Sequence, residues 1–184
     1  MRRGRTLLLL ALIGAGLCFG GHAGYIYAKA VVAQALIQRA WRDSLETRHQ
    51  VKPWSWADTW PVARLVVPSL DVDLCVLAGD YGSSLAFGPG RRLGTNMISG
   101  HRDTHFRFLK RLRTGQVILL QERSGSWHRY RVIASSVVNK SVNLPRIGDP
   151  SVLILVTCYP FDAIVPGGPL RYVVYARKVE GKTI

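Results

Sequence analysis

Three residues far apart in the chain carry the side chains that acyl transfer uses: Cys158, His101 and Arg171. A cysteine thiolate attacks carbonyl carbon, an imidazole delivers a proton to a departing amine, and a guanidinium stabilises an oxyanion. Cys158 closes the apolar run Val152–Thr157 and is followed by Tyr159-Pro160. The proline ends the strand there, so the thiol belongs at the lip of a sheet. A packing thiol fits that context equally well, and the residues around it leave both roles open. His101 ends the short run Met97-Ile-Ser-Gly100 and opens into a turn, again a strand end with room beside it. Arg171 starts the alternating stretch Leu170–Tyr175 after the loop Pro166-Gly-Gly-Pro169. If that stretch pairs beside the Cys158 strand, the guanidinium returns to the thiol; otherwise it is an edge arginine that keeps a sheet soluble.

The other candidates read as structural. Cys75 lies inside the apolar Leu74-Cys-Val-Leu77 and reads as a buried, inert thiol. His105 reads as a cap for the short helix that follows it, and His128 as a solvent-facing strand residue. The chain has three cysteines and no CxxC or CxxH spacing, which excludes a disulfide framework and a structural zinc site. Asp71, Asp73 and Asp80 are too sparse for a calcium loop. No metal or other cofactor is expected.

These residues need a scaffold. From Val62 onward the chain reads as short β-rich runs broken by Gly, Pro, Asn and Asp. The expected strands are 63–67, 72–77, 96–100, 116–121, 127–138, 152–158 and 170–177. One short helix is expected over Phe106–Leu112, with Phe108, Leu109 and Leu112 on its apolar face and the arginines between Arg102 and Arg113 on the solvated one. Strands at this density predict a mainly β fold, a single closed or nearly closed β-barrel. The glycine-rich 88–94 segment ends in no Lys-Ser and opens no helix, so it is not a phosphate loop. Trp54, Trp56 and Trp60 form an aromatic linker that either packs on the domain edge or offers a carbohydrate platform.

Ahead of the barrel, Arg2, Arg3 and Arg5 precede an apolar run from Leu7 to Ala28. Such a run, at about 1.5 Å per residue, spans roughly 33 Å, enough for the ~30 Å hydrocarbon core. The arginines place the N-terminus in the cytoplasm, with Tyr25 and Tyr27 at the far interface. The small-x-small Gly21-His22-Ala23 also fits a cleaved signal peptide. A retained anchor is favoured because Val32, Leu36, Ala40 and Trp41 continue the helical spacing beyond that point. The expected division is a basic tip and transmembrane anchor over 1–28, an amphipathic helical extension over 29–50, and a catalytic domain over 51–184. Both readings export the domain.

The 184 residues hold 25 Lys+Arg against 11 Asp+Glu, a net charge of +14. An exported domain has no nucleic acid to meet, so this charge points to an anionic membrane surface, with much of it in the stretch His101–Arg113.

Gly100-His101-Arg-Asp-Thr104, then Leu155-Val-Thr-Cys158, then Arg171 resembles the His–Cys–Arg set of the sortases in its usual order. The strand leading into the histidine and the Trp60-Pro-Val-Ala-Arg64 segment are similar to the class D and proteobacterial class GN branches. One departure is visible: Ile154 stands where the family's Thr-Leu-x-Thr-Cys begins. The resemblance implies a sortase-like closed β-barrel with short helices behind an N-terminal transmembrane and amphipathic helix. It also implies a membrane-anchored cysteine transpeptidase acting on the periplasmic side of the inner membrane. In that reading Cys158 attacks a C-terminal sorting signal of Leu-Pro-x-Thr-Gly type and His101 protonates the leaving amine. Arg171 positions the substrate and stabilises the oxyanion. The implied partners are a protein bearing the sorting signal, an unspecified amine acceptor and the membrane, with no nucleic acid. A periplasmic cysteine hydrolase and a non-catalytic membrane-anchored binding module are the alternatives.

Overall fold

The computed structural model describes residues 2–140, 149, 151–165 and 167–179; the side chains of residues 2–11 and of Ser83 are outside this set. Helix α1 runs without a break over Arg2–Thr47. The chain divides into two compact units, Met1–Leu36 and Ile37–Ile184.

In the first unit α1 exposes Leu12, Ile13, Leu17, Phe19 and Ile26. Among the described residues no helix is long and apolar enough to cross a membrane. The span expected over Leu7–Ala28 is therefore not shown, and its first part, Leu7–Ala11, lies where side chains are not described.

In the second unit the last turns of α1 bury Ile37, Ala40, Trp41 and Ser44. That spacing of three and four places them on one face; of the apolar positions expected here, Ala40 and Trp41 are buried, Leu36 is half-buried and Val32 is exposed. Ser44 returns its hydroxyl hydrogen bond to Ala40 O at 2.7 Å. Arg48 then donates to the carbonyls of Arg123 and Ser124.

The barrel follows. Its strands are β1 (Pro61–Val67), β2 (Val72–Ala78), β3 (Gly90–Arg91), β4 (Met97–Ser99), β5 (Val117–Glu122), β6 (Trp127–Asn139), β7 (Val152–Cys158) and β8 (Leu170–Lys178), with the short helix α2 (Gly82–Phe87) between β2 and β3. They close in the order β1-β2-β3-β4-β7-β8-β6-β5. The pairs β2/β3 and β4/β7 are parallel and the rest antiparallel. Closure removes every sheet edge, so no strand is left to pair with another chain.

Alternation decides which side chains fill the barrel. Ala63, Leu65 and Val67 of β1 are buried at every second position, and Ile118 and Leu120 of β5 follow the same rule. Strand β7 is buried on both faces. Leu153 and Leu155 join the main core with Phe106, Leu109 and Val174, while Ile154 and Val156 pack with Met97 and Val173 in a second cluster. An uninterrupted apolar run is what burial on both faces demands of a strand.

Three expectations change. The helix expected over Phe106–Leu112 is a single 3-10 turn over Arg107–Lys110, although Phe108, Leu109 and Leu112 are buried as its apolar face. No side chain caps that turn, and His105 instead faces Thr104 Oγ1 at 3.3 Å. Arg102 leaves the solvated face altogether and is 7% exposed. Of the tryptophans, Trp54 packs edge-on against Phe87, with ring centroids 5.1 Å apart, while Trp56 is exposed.

Candidate active site

Three neighbouring strands bring the candidate residues together. Strand β7 lies between β4 and β8. On one side β8 runs antiparallel with Cys158 directly opposite Arg171. On the other, β4 runs parallel with Ser99 opposite Val156, and Gly100 N–H continues the ladder to Val156 O at 3.1 Å. His101 and Cys158 each stand two residues beyond that last pair. The period of two also puts Cys158 on the same face as Ile154 and Val156, the face that meets Met97.

His101, Cys158 and Arg171 all line one cavity of about 260 Å³, together with Met97, Val156 and Lys140. Cys158 and Arg171 are half-buried and His101 is exposed. The thiol thus has apolar walls below and polar groups around its mouth.

Each strand end is pinned by its neighbours. Thr157 is buried and donates its hydroxyl to Gly100 O at 2.7 Å, linking the residue before the cysteine to the one before the histidine. Gly100 is required by close approach: a β-carbon there would sit 2.7 Å from the Phe106 ring. Phe106 N–H donates to His101 O at 2.9 Å, closing the turn that carries the imidazole. Arg171 Nη1 donates to Gly168 O at 2.7 Å and Leu170 O at 2.8 Å, so the guanidinium is held by its own loop. Pro166 of that loop is outside the described residues.

Two participants escaped the sequence reading. Arg102 donates to Pro160 O at 2.6 Å and to Ala163 O, with Asp103 at 3.3 Å from its Nε. It therefore ties the segment after Cys158 to the residue following His101. Asp80 lines the cavity and accepts from Arg92 Nε at 3.0 Å, with Arg92 Nη2 at 2.9 Å, a fixed ion pair on the cavity wall. The only advance signal for Arg102 was its place beside the histidine.

Cys75 lies elsewhere, on β2, half-buried. Burial is the main cause that pushes its thiol up to about 11, with the Asp73 carboxylate adding to it. Such a thiol stays protonated and inert near neutral pH. Among the described residues no group of three or more His, Cys, Asp or Glu is arranged to hold a metal ion.

Residues 65–179 match the sequence profile of the Sortase domain family. The chain belongs to the sortase family. It is 30% identical over 127 residues to Sortase D of Bacillus subtilis (strain 168), a match covering 62% of this chain and 62% of that protein. The chain thus spans less than two thirds of that relative. Its fold is similar to that of Sortase A from Corynebacterium diphtheriae, with a TM-score of 0.59 and 20% identity over 83% of this chain and 84% of that one. Sortase C-1 from Actinomyces oris superposes with a TM-score of 0.57 and 26% identity over 66% of this chain and 75% of that one. This sortase has the mainly β closed barrel expected of it, behind a long N-terminal helix.

Proposed function

We propose that this sortase is a cysteine transpeptidase in which Cys158, His101 and Arg171 carry the chemistry. The observation that carries the reading is their convergence on one cavity from three adjacent strands of a sortase barrel. The Cys158 thiolate attacks the carbonyl carbon of a Leu-Pro-x-Thr-Gly type sorting signal. Arg171 holds the substrate carbonyl and stabilises the tetrahedral oxyanion. As that intermediate collapses the C–N bond breaks, and His101 delivers a proton to the departing amine. The product is a thioacyl enzyme. An incoming amine then attacks the thioester carbonyl, gives its proton to His101 and expels the Cys158 thiolate, so the enzyme returns unchanged.

The chain acts, in this reading, at the outer face of the inner membrane, with its N-terminus in the cytoplasm and residues 1–28 as a retained anchor. The arginines at its start and the exposed apolar side chains of α1 support that placement. Residues 29–50 extend the anchor and 51–184 form the catalytic domain. Tethering enzyme and membrane-borne substrate to one surface raises their effective concentration. The likeness to a class D enzyme supports placing the chain in the class D-like branch that includes the class GN proteins.

The test is intact-mass spectrometry of the full chain in detergent with a Leu-Pro-x-Thr-Gly peptide library. A thioacyl adduct on Cys158 is expected, absent in Cys158→Ala, and formed far more slowly in His101→Ala and Arg171→Ala. An added amine should convert it to a new amide; release only to water would make the protein a hydrolase. No adduct from any peptide, with Cys158 still alkylating normally, would overturn the acyl-transfer reading.

A further inference from the structure

A second cavity, of about 860 Å³, is lined by the segment that follows His101 and by the start of β2. Its rim carries Arg107, Lys110, Arg111 and Arg113, all exposed. Among the described residues no hydrogen bond or ion pair engages the side chain of Arg107, Lys110 or Arg111. Two carboxylates share the cavity. Asp73 is already matched by Arg64, whose Nε donates to it at 2.7 Å, which leaves Asp71 facing four cations. Four like charges within one turn and its flank repel one another unless an anion sits among them. The floor beneath them is apolar, made by Val72 and Leu74 of β2 and by the buried Phe108.

We propose that this groove binds the headgroup of an anionic phospholipid, its phosphodiester held by Arg107, Lys110 and Arg111 and its glycerol carbons resting on Val72, Leu74 and Phe108. Guanidinium groups offer the forked donors that match phosphate oxygens, and the lysine adds a point charge. The apolar floor selects a lipid over a free phosphate, which has no use for it. Binding here would hold the barrel at the membrane surface independently of α1. The site shares no side chain with the Cys158 cavity, so it stands or falls apart from the catalytic reading.

The test is chemical footprinting of the full chain in non-ionic detergent micelles doped with phosphatidylglycerol or phosphatidylcholine, at low salt. Lysine acylation is read by peptide mass spectrometry. Phosphatidylglycerol should slow modification of Lys110 at least about fivefold while leaving Lys52 and Lys178 unchanged, and rising salt should reverse the protection. In Arg107→Gln/Arg111→Gln the protection should disappear, with the unfolding temperature unchanged because both side chains are exposed. Equal reactivity of Lys110 in the two micelles would overturn the proposal, as would protection that survives in the double variant. Inorganic phosphate protecting Lys110 as well as the lipid does would overturn the lipid assignment in favour of a free-anion site.

Discussion

Arg102 offers the sharpest test of how this site is held. Its guanidinium is 7% exposed and bonds two main-chain carbonyls of the segment after Cys158. A hydrogen bond from a charged donor is worth about 1.5–3 kcal/mol. Pro160 is exposed and Ala163 half-buried, so water replaces part of what is lost. Arg102→Met should then cost about 2–4 kcal/mol, which for a domain of this size lowers the unfolding temperature by roughly 5–15 °C. Arg102→Lys keeps the charge but has no fork to span two carbonyls, and should lose about half as much. If Arg102 positions the segment beside the thiol, the lysine variant held well below its melting point should show kcat for peptide cleavage down about 10–100-fold, the cost of misplacing reacting groups by about 1 Å. Its Cys158 should still alkylate at the wild-type rate, since the thiol itself is untouched. Arg102→Met melting within about 2 °C of the parent and cleaving at the parent's rate would refute the argument.

Thr157→Val removes a buried hydroxyl bond to Gly100 O and should destabilise the fold by about 1–3 kcal/mol in chemical denaturation. Gly100→Ala pushes a methyl into the Phe106 ring and should cost about 1–3 kcal/mol, with peptide cleavage falling further than stability because the histidine turn is displaced; an unchanged melting temperature would show that the ring yields freely. Iodoacetamide at pH 8 should label Cys158 and spare Cys75, whose thiol is pushed up to about 11 by burial. The folded state holds that proton more tightly than the unfolded chain does, so stability should decline as pH rises from about 9 toward 11. Cys75→Ala should flatten that decline, and an equally steep fall in the variant would remove Cys75 as its cause.

The strands were legible wherever apolar spacing was long enough to repeat. Val152–Cys158 declares itself because both its faces are buried, and the alternation along β1 is visible as soon as Ala63, Leu65 and Val67 are read together. Strand β3 is two residues, Gly90–Arg91, too short for any period to register, and its parallel partner β2 is twelve residues upstream. Helix α2 is hidden for a similar reason: Gly82-Ser-Ser-Leu-Ala-Phe87 has no full turn of apolar repeat. The three candidate residues stood out because each sits at a strand end within two residues of Gly or Pro, a local signal. The burial of Arg102 had no such signal. Its partners Pro160 and Ala163 lie 58 and 61 residues away, and apart from its place beside His101 nothing local distinguishes it from the solvated arginines that follow. Long-range loop contacts of that kind leave no period in the sequence.

The placement of the site on β4, β7 and β8 also governs when it comes into being. Two of these strands meet through a parallel ladder, and the third is the last to be made. Parallel and long-range pairings must overcome large loop-closure entropy before any contact rewards them, so they form late. Until residues 170–178 close on β7, nothing places Arg171 opposite Cys158, even where the β4/β7 ladder has already formed. If Cys158 and Arg171 act together as proposed, their pairing is complete only in the finished barrel.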